Sequence, residues 1–414
     1  MFASIILLLI CVVFIVVQLK SRRPKNFPPG PPVWPILGNI LDLSLENPLK
    51  DFERLKKTYG NVYRVILADY GSSWKEQRRF ALMNLRNFGM GKDSMEERIH
   101  GEIQYTVDTL EKSIGKSFSP QNMFHNAASN IICQVLFGKR FEYQDETMKT
   151  LVQCFTENAK IANGPWAMLY DSFPLIRSLP LPFRQAFKNV EPGDDRSSFS
   201  EAQLTMYILD LHFAGTDTTS NTLLTGFLYL MNYPQVQERC QQEIDMVLEG
   251  KDQASSEDRN NMPYVQAVIH EIQRVANTVP LSVFHCTTKA TELNGYSIPK
   301  GTLIIPNLTS VLNEEGQWKF PNEFNPENFL NDQGEFVKPE AFMPFSAGPR
   351  MCLGEGLARM ELFLFTVTLL RKFKFIWPED AGEPDFTPVY GVTLTPKPYR
   401  MKVQLRVSQK IPNL

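Results

Sequence analysis

The segment from Ser200 to Asn232 restricts the possible folds more than any other part of the chain. It is apolar on nearly every side of a helix, and the S-E-A-Q sequence at its start is a capping-box pattern. A helix of this kind has to be buried, so it needs a large surrounding layer of other elements. Helical periodicity dominates from Asn47 onwards, whereas strand-like alternation is confined to 293–305 and 400–407. The sequence therefore predicts a mainly α fold with a small β portion.

The other apolar segments with helical spacing predict the layer around this central helix. The chain of 414 residues is long enough for one large domain or two ordinary ones. The predicted helices are Asn47–Tyr59, Trp74–Arg86, Met95–Ile114, Pro120–Phe137, Thr147–Ala162, Pro234–Leu248 and Pro263–Val275.

Bulk charge and cysteine spacing exclude several function classes. The net charge is −2, so we expect no nucleic-acid partner. Six cysteines lie far apart and no CxxC pair occurs, which gives no support to a zinc site, an iron–sulfur cluster or a disulfide framework.

The first residues predict a membrane anchor. Phe2 to Leu19 carry no charge, and as a helix they would span about 27 Å, close to the thickness of a bilayer core. A cleaved signal peptide would need a basic start and a small-residue cleavage site, and neither occurs. We predict an anchor at 1–20 and a basic, proline-rich connector at 21–38. The remaining 39–414 should lie on the cytoplasmic side, because the positive charges follow the apolar run.

Three polar patterns interrupt the apolar background. Residues 214–218 read AGTDT within the central helix, which is either a functional break or a helix-packing glycine with satisfied neighbours. Glu271 and Arg274 share a helix face, as do Trp74 and Arg78. Alone, the first pair is typical of a solvated surface ion pair and the second of a basic amphipathic turn.

Cys352 could be a buried filler, a nucleophile, a redox switch or a metal ligand. It lies in the sequence FSAGPRMCLGEG, which runs from Phe345 to Gly356 and precedes a helical pattern. The helix start and Arg350 would favour a thiolate, while Gly348 and Gly354 let the backbone approach a large flat ligand. A nucleophilic cysteine needs a nearby base, and the five histidines form no such signature. A thiolate ligand of haem needs no base, because the metal keeps the sulfur deprotonated.

The sequence around Cys352 resembles the cytochrome P450 signature at every invariant position. The sequences PPGPP at 28–32, WKEQR at 74–78, AGTDT at 214–218 and EIQR at 271–274 follow in the order of that family. The chain is similar to the microsomal family 2, especially its fatty-acid-epoxygenase-like branch. In FNPENF, Asn328 stands where arginine is commonest, so we expect a weaker third contact to the Glu271–Arg274 pair.

The resemblance implies a cytochrome P450 fold and a haem-thiolate site. Cys352 would be the axial ligand of the iron of haem b, and Asp217 with Thr218 would supply protons during oxygen activation. Glu271 and Arg274 would lock the helices behind the haem. The implied haem-contacting residues are Trp74, Arg78, Ala214, His285, Phe345, Arg350, Cys352 and Gly354. The implied substrate-facing residues, which could equally be plain core, are Ala214, Val279, Leu281, Val283 and the turn from Val389 to Val392.

The same resemblance implies a membrane-bound monooxygenase of fatty-acid or xenobiotic metabolism. The Asp217–Thr218 pair favours monooxygenation over peroxide rearrangement. Electrons would come from NADPH–cytochrome P450 reductase, with help from cytochrome b5, and the substrates would be lipophilic. The expected location is the endoplasmic reticulum membrane, with the catalytic domain in the cytoplasm and in contact with membrane lipid.

Two blocks that the family usually contains are absent, near 64–73 and near 191–197. We interpret the gaps as an alternatively spliced product or an imperfect gene model. Missing sheet and lid segments would expose apolar surface and open the pocket to water. The alternative to an active enzyme is therefore a catalytically inactive membrane-bound relative that retains the scaffold and the face for the reductase.

Overall fold

The computed structural model describes residues 26–31, 39, 43–44, 47–63, 93–143, 145–146 and 201–406, without side chains for 93 and 201–206. The predicted anchor at 1–20, most of the connector and the predicted helices Trp74–Arg86 and Thr147–Ala162 lie outside these residues. Within the described part, no helix combines the length and apolarity that a membrane span requires. The described residues form two compact units, and residues 283–306 belong to the smaller one together with the described residues before 64.

The smaller unit contains one described helix and short strands. Helix α1 (Leu49–Tyr59) ends at Gly60, and the Tyr63 hydroxyl donates to the carbonyl of Phe52. Strands β2 (Thr291–Leu293) and β3 (Tyr296–Ile298) form an antiparallel hairpin, whose turn residues Asn294 and Gly295 both have positive φ, as this tight turn requires. Strand β1 (His285–Cys286) pairs with β4 (Leu303–Ile304). Strands therefore occur in the predicted region 293–305, but β3 and β4 pair with β2 and β1 and not with each other.

The larger unit is mainly helical and is built around the central helix α4. Its described helices are α2 (Asp93–Lys112), α3 (Gln121–Phe137), α4 (Glu201–Asn232), α5 (Pro234–Val247), α6 (Pro263–Ala276), α7 (Leu308–Leu312) and α8 (Glu355–Lys372). Each of α5 and α6 begins with a proline, whose missing N–H is not needed in the first turn. The mainly α prediction is confirmed.

The core of the larger unit surrounds the second half of α4. This helix packs on α3, α6 and α8, and it is largely buried from Thr219 onwards. The Phe227 ring stacks on Phe124, with centroids 5.2 Å apart, and contacts Phe375 at 4.5 Å. The first half of α4 differs from the all-round burial that its apolar pattern predicts, because Leu209 and Ala214 are exposed.

The C-terminal part of the larger unit contains a pair of strands. Strand β5 (Phe373–Ile376) follows α8 directly and pairs antiparallel with β6 (Lys402–Leu405), which confirms the predicted strand near 400–407. Gln237 connects this sheet to α5, because its side-chain amide donates to the carbonyl of Phe375 and its oxygen accepts from the N–H of the same residue. The buried amide is thus satisfied by backbone, as burial of a polar group requires.

Candidate active site

The loop that carries Cys352 is closed by backbone hydrogen bonds. A short 3₁₀ turn covers Gly348–Arg350, and the N–H of Cys352 donates to the carbonyl of Phe345 at 2.8 Å. Ser346 and Gly348 both have positive φ, which makes this a tight loop. Cys352 is exposed and lies three residues before Glu355, the first residue of α8. The structure thus places the thiol at the start of a helix.

The surroundings of Cys352 fit a large flat cofactor. A methyl group added at Gly348, Gly354 or Gly356 would meet no atom within 4 Å. The backbone is therefore open to a ligand both before and after Cys352 in the chain. Arg350 is half-buried in the same loop, and a guanidinium is well suited to bind a carboxylate such as a haem propionate. An accessible thiol is also the donor that a haem-thiolate site requires. The residues present therefore fit a haem bound through Cys352.

The polar break in α4 brings Asp217 and Thr218 to different partners. The Thr218 hydroxyl donates to the carbonyl of Ala214 at 2.7 Å, one turn earlier on the helix. The Asp217 carboxylate instead accepts a short hydrogen bond from the hydroxyl of Thr393. Its other oxygen lies 3.6 Å from Nε2 of His125 on α3. The two side chains that the sequence pairs are therefore neighbours on the helix, and each makes its own contacts.

The contacts of Asp217 extend into the C-terminal turn. The Asn221 amide, one helical turn further along α4, donates to the hydroxyl of Thr395 at 3.1 Å. The backbone of Val389 and Thr395 forms an isolated antiparallel bridge. These bonds hold the turn from Val389 to Val392 next to the part of α4 that carries Asp217.

The substrate-facing candidates of the larger unit differ in exposure. Ala214 is exposed, Val279 is half-buried and Leu281 is buried. Val389 is 52% exposed, and Val392 at the other end of its turn is exposed to a similar extent. The turn thus presents apolar side chains at the surface, whereas Leu281 has the burial of a core residue.

Four further candidates are placed less directly. Val283 and His285 belong to the smaller unit. Nδ1 of His285 is enclosed and has no hydrogen-bond partner among the described residues. Trp74 and Arg78 lie outside the described residues.

Glu271 and Arg274 form a buried ion pair. Their side chains are 0% and 1% exposed, and two bonds of 2.7 and 2.8 Å join the carboxylate to the guanidinium. Desolvation raises the pKa of Glu271, and the bonds to Arg274 oppose this rise. Arg274 also donates to the carbonyls of Leu312 and Pro321. The surface ion pair that the motif alone suggests is wrong, and the structural role that the resemblance implies agrees with this geometry.

Asn328 supplies a neutral third contact to this pair. Its amide donates to both oxygens of Glu271 at 3.2 and 3.3 Å, and its own oxygen accepts from the N–H of Phe320. The backbone N–H of Asn325 adds another bond to Glu271 at 2.8 Å. The third contact is therefore present, with one formal charge fewer than an arginine would bring.

Sequence reasoning missed His125, Thr393 and Glu361. The first two reach Asp217 from distant parts of the chain, so no local pattern indicates them. Glu361 lies in the apolar run of α8, and its charge in that run is the signal that could have found it. It is almost fully buried, and desolvation raises its pKa to about 8, with an opposing hydrogen bond from Thr219.

Comparison with known proteins identifies the class. The family model for cytochrome P450 matches residues 63–193 and 190–403, and the chain belongs to the cytochrome P450 family. It is 38% identical to cytochrome P450 2K4 of Oncorhynchus mykiss, over 94% of each chain. It is 37% identical to cytochrome P450 2J2 of Homo sapiens, over 92% of each chain. Identity to cytochrome P450 2F2 of Rattus norvegicus is 36%, over 97% of this chain and 99% of the relative.

The alignments to these relatives are longer than the chain itself. They extend over 472, 464 and 488 residues, whereas the chain has 414. Each relative therefore contains segments that have no counterpart here. The two matched parts of the family model also meet at 190–193, beside the second predicted gap.

Proposed function

We propose that this protein is a haem-thiolate monooxygenase that hydroxylates or epoxidises lipophilic substrates, either fatty acids or xenobiotics. Membership of the cytochrome P450 family supports this function, and the single observation that carries it is the exposed Cys352 at the start of α8. Haem b bound through this thiolate supplies the activation of O₂. One oxygen atom enters the substrate, and the other leaves as water after two electrons and two protons are added.

The protein's own groups hold the cofactor and move protons. Cys352 would provide the sulfur ligand, while Arg350 would bind a propionate. The Thr218 hydroxyl donates a hydrogen bond to the carbonyl of Ala214, so the lone pairs of its oxygen can accept another hydrogen bond. Asp217, held by Thr393 and facing His125, would release a proton that the reaction consumes and would then take up another proton from water.

The apolar surface beside Asp217 supports a lipophilic substrate. Val389 and Val392 are exposed on the turn that Thr393 ties to the carboxylate. Val279 and Ala214 would add apolar contacts. A water-soluble polar substrate would find few hydrogen-bonding groups on these side chains.

The partners and the location follow from the same class. Electrons would come from NADPH–cytochrome P450 reductase, assisted by cytochrome b5. The uncharged segment from Phe2 to Leu19, followed by a basic patch, supports a single-pass anchor in the endoplasmic reticulum membrane, with the catalytic domain in the cytoplasm.

The second candidate function is an inactive relative that keeps the scaffold and binds the reductase. The excess length of the alignments favours it, because it agrees with missing blocks, and the junction at 190–193 lies beside the second predicted gap, near 191–197. Sequencing the transcript across codons 63–74 and 190–198 tests this directly. A message that contains both blocks would show that the chain is incomplete.

Difference spectroscopy of the reduced protein with carbon monoxide separates the two functions. An active enzyme shows the Soret band of thiolate-ligated haem, and Cys352→Ala abolishes that band. Cys240→Ala is the matched control, because it removes a thiol that is buried in the core between helices and should leave the band in place. A folded wild-type chain that binds no haem would refute the monooxygenase and leave the inactive relative.

A further inference from the structure

Arg359 connects three parts of the structure close to Cys352. It lies on α8, and its Nε and Nη2 contact the carboxylate of Glu355 at 2.9 and 2.8 Å. Its Nη1 donates to Nε2 of His270 at 2.8 Å. The guanidinium carbon lies 5.2 Å from the centre of the Phe345 ring. One side chain thus contacts the first turn of α8, the neighbouring helix α6 and the loop that carries the thiol.

His270 can act only as an acceptor toward Arg359. The other ring nitrogen, Nδ1, lies 2.7 Å from the carbonyl of Gln266, which cannot donate and therefore requires a proton on Nδ1. Nε2 then carries a lone pair, which matches the N–H of the guanidinium. Burial, followed by the charge of Arg359, lowers the pKa of His270 to about 3, so this neutral tautomer persists at physiological pH.

The His270 ring is held by aromatic side chains. It is 7% exposed, and its centre lies 4.5 Å from Phe336, 5.0 Å from Phe342 and 5.6 Å from Phe329. An imidazole packed in this way has little rotational freedom, so its acceptor nitrogen has a defined position. It offers Arg359 an immobile anchor inside the larger unit.

Phe345 contacts both Arg359 and the backbone of Cys352. Its ring faces the guanidinium, and its carbonyl accepts the N–H of Cys352 at 2.8 Å. A cation over an aromatic face is attractive, so an immobile Arg359 restricts the ring and the backbone attached to it. The path from His270 to the thiol-bearing loop therefore runs through Arg359 and Phe345.

We propose that His270 is a positioning residue that holds Arg359 and, through Phe345, sets the geometry of the Cys352 loop. The consequence for the haem ligand rests on the proposed function. The restraint on the loop is a property of the chain itself. If His270 only filled space, its aromatic neighbours would be sufficient. Its acceptor nitrogen would then not have to face Arg359.

Amide hydrogen exchange of the full-length protein, followed by mass spectrometry, tests the restraint. His270→Phe keeps the aromatic volume and removes the acceptor, so we expect about tenfold faster exchange in the peptide that contains the Cys352 N–H. His270→Gln, whose side-chain oxygen can accept from Arg359, should restore much of the protection. Arg359→Lys alters the same contact at the Arg359 side, and this side chain is only partly buried. It should therefore speed amide exchange in the same peptide while the protein stays folded.

The matched control is Val268→Ala, a fully buried position on the same helix. It should weaken protection evenly across the unit, including β5 and β6, and not selectively around Cys352. If His270→Phe and Arg359→Lys leave the Cys352 peptide as protected as in the wild type, the proposal is wrong. A uniform loss of protection like that of Val268→Ala would also overturn it.

The thiolate-type carbon monoxide band provides a second readout. The haem-loaded His270→Phe variant should convert to the form without thiolate ligation about tenfold faster than the wild type. The conversion rate of the His270→Gln variant should stay close to that of the wild type. A wild-type chain without any such band would refute the proposed function, and hydrogen exchange would still decide the role of His270. A normal band together with unchanged exchange and conversion would refute the positioning role alone.

Discussion

Replacing Arg274 by methionine should destabilise the protein strongly, because it leaves a buried charge without its partner. The guanidinium makes two bonds to Glu271, one to the amide oxygen of Asn313 and several to backbone carbonyls. In the variant, the Glu271 carboxylate retains only the N–H of Asn325 and the amide of Asn328. Removal of one partner of a buried ion pair costs about 3–5 kcal/mol, and we expect the loss in the free energy of unfolding to lie in this range.

The pH dependence of this loss identifies its cause. Arg274 opposes the rise in the pKa of Glu271 that burial causes, so the pKa rises further in the variant. A carboxyl group with a raised pKa in the folded state stabilises below its unfolded pKa of about 4.3 and loses that stability as the pH rises through the folded pKa. Arg274→Met should therefore be least harmful in acid and most harmful at neutral pH.

Urea unfolding, followed by circular dichroism between pH 4 and pH 8, measures both effects. The double variant Glu271→Gln/Arg274→Met lacks the buried charge, so it should lose less stability at neutral pH than Arg274→Met alone and show a flatter pH profile. The control is Arg400→Met, whose partner Asp380 is 64% exposed, and it should lower the free energy of unfolding far less than Arg274→Met does. A loss below about 1 kcal/mol for Arg274→Met, or a double variant that is no better, would refute this reasoning.

Three further predictions concern α4 and α8. Glu361→Gln should flatten the pH profile of stability, since the wild type loses stability as the pH rises from about 4.3 toward the folded pKa of about 8; identical urea midpoints for both proteins at pH 5 and pH 9 would contradict this. Gly215→Ala should cost about 1–3 kcal/mol, because the new methyl group would overlap the Ile132 side chain; thermal unfolding measures the loss, and adding Ile132→Val should recover part of it. Asp217→Asn should lower the rate of product formation by about 10²-fold or more while the thiolate band persists; unchanged turnover would exclude Asp217 from proton supply.

The sequence motifs predict the family better than they predict the contacts and burial of each residue. Helical periodicity and the order of the motifs were enough to predict a mainly α fold and the class of site around Cys352. The Glu271–Arg274 spacing could not distinguish an exposed pair from a buried one. Burial depends on which elements cover α6, among them the short helix Pro326–Phe329.

Local patterns also failed where a contact joins distant parts of the chain. His125, Thr393 and Asp217 lie on three separate segments, and only their packing brings them together. The same applies to Asn328, whose amide replaces the expected arginine because it lies beside both oxygens of Glu271.

The sequence by itself determined the helical character of the chain and its family, and it predicts the cysteine that would bind the iron, because these depend on residue type and spacing along the chain. The tertiary structure alone decided the partner of Asp217, the depth of the Glu271–Arg274 pair and the anchor of Arg359 on His270. Side-chain hydrogen bonds act over about 3 Å, and desolvation depends on the atoms that surround a group. Both are therefore set by neighbours in space, which the order of residues does not specify.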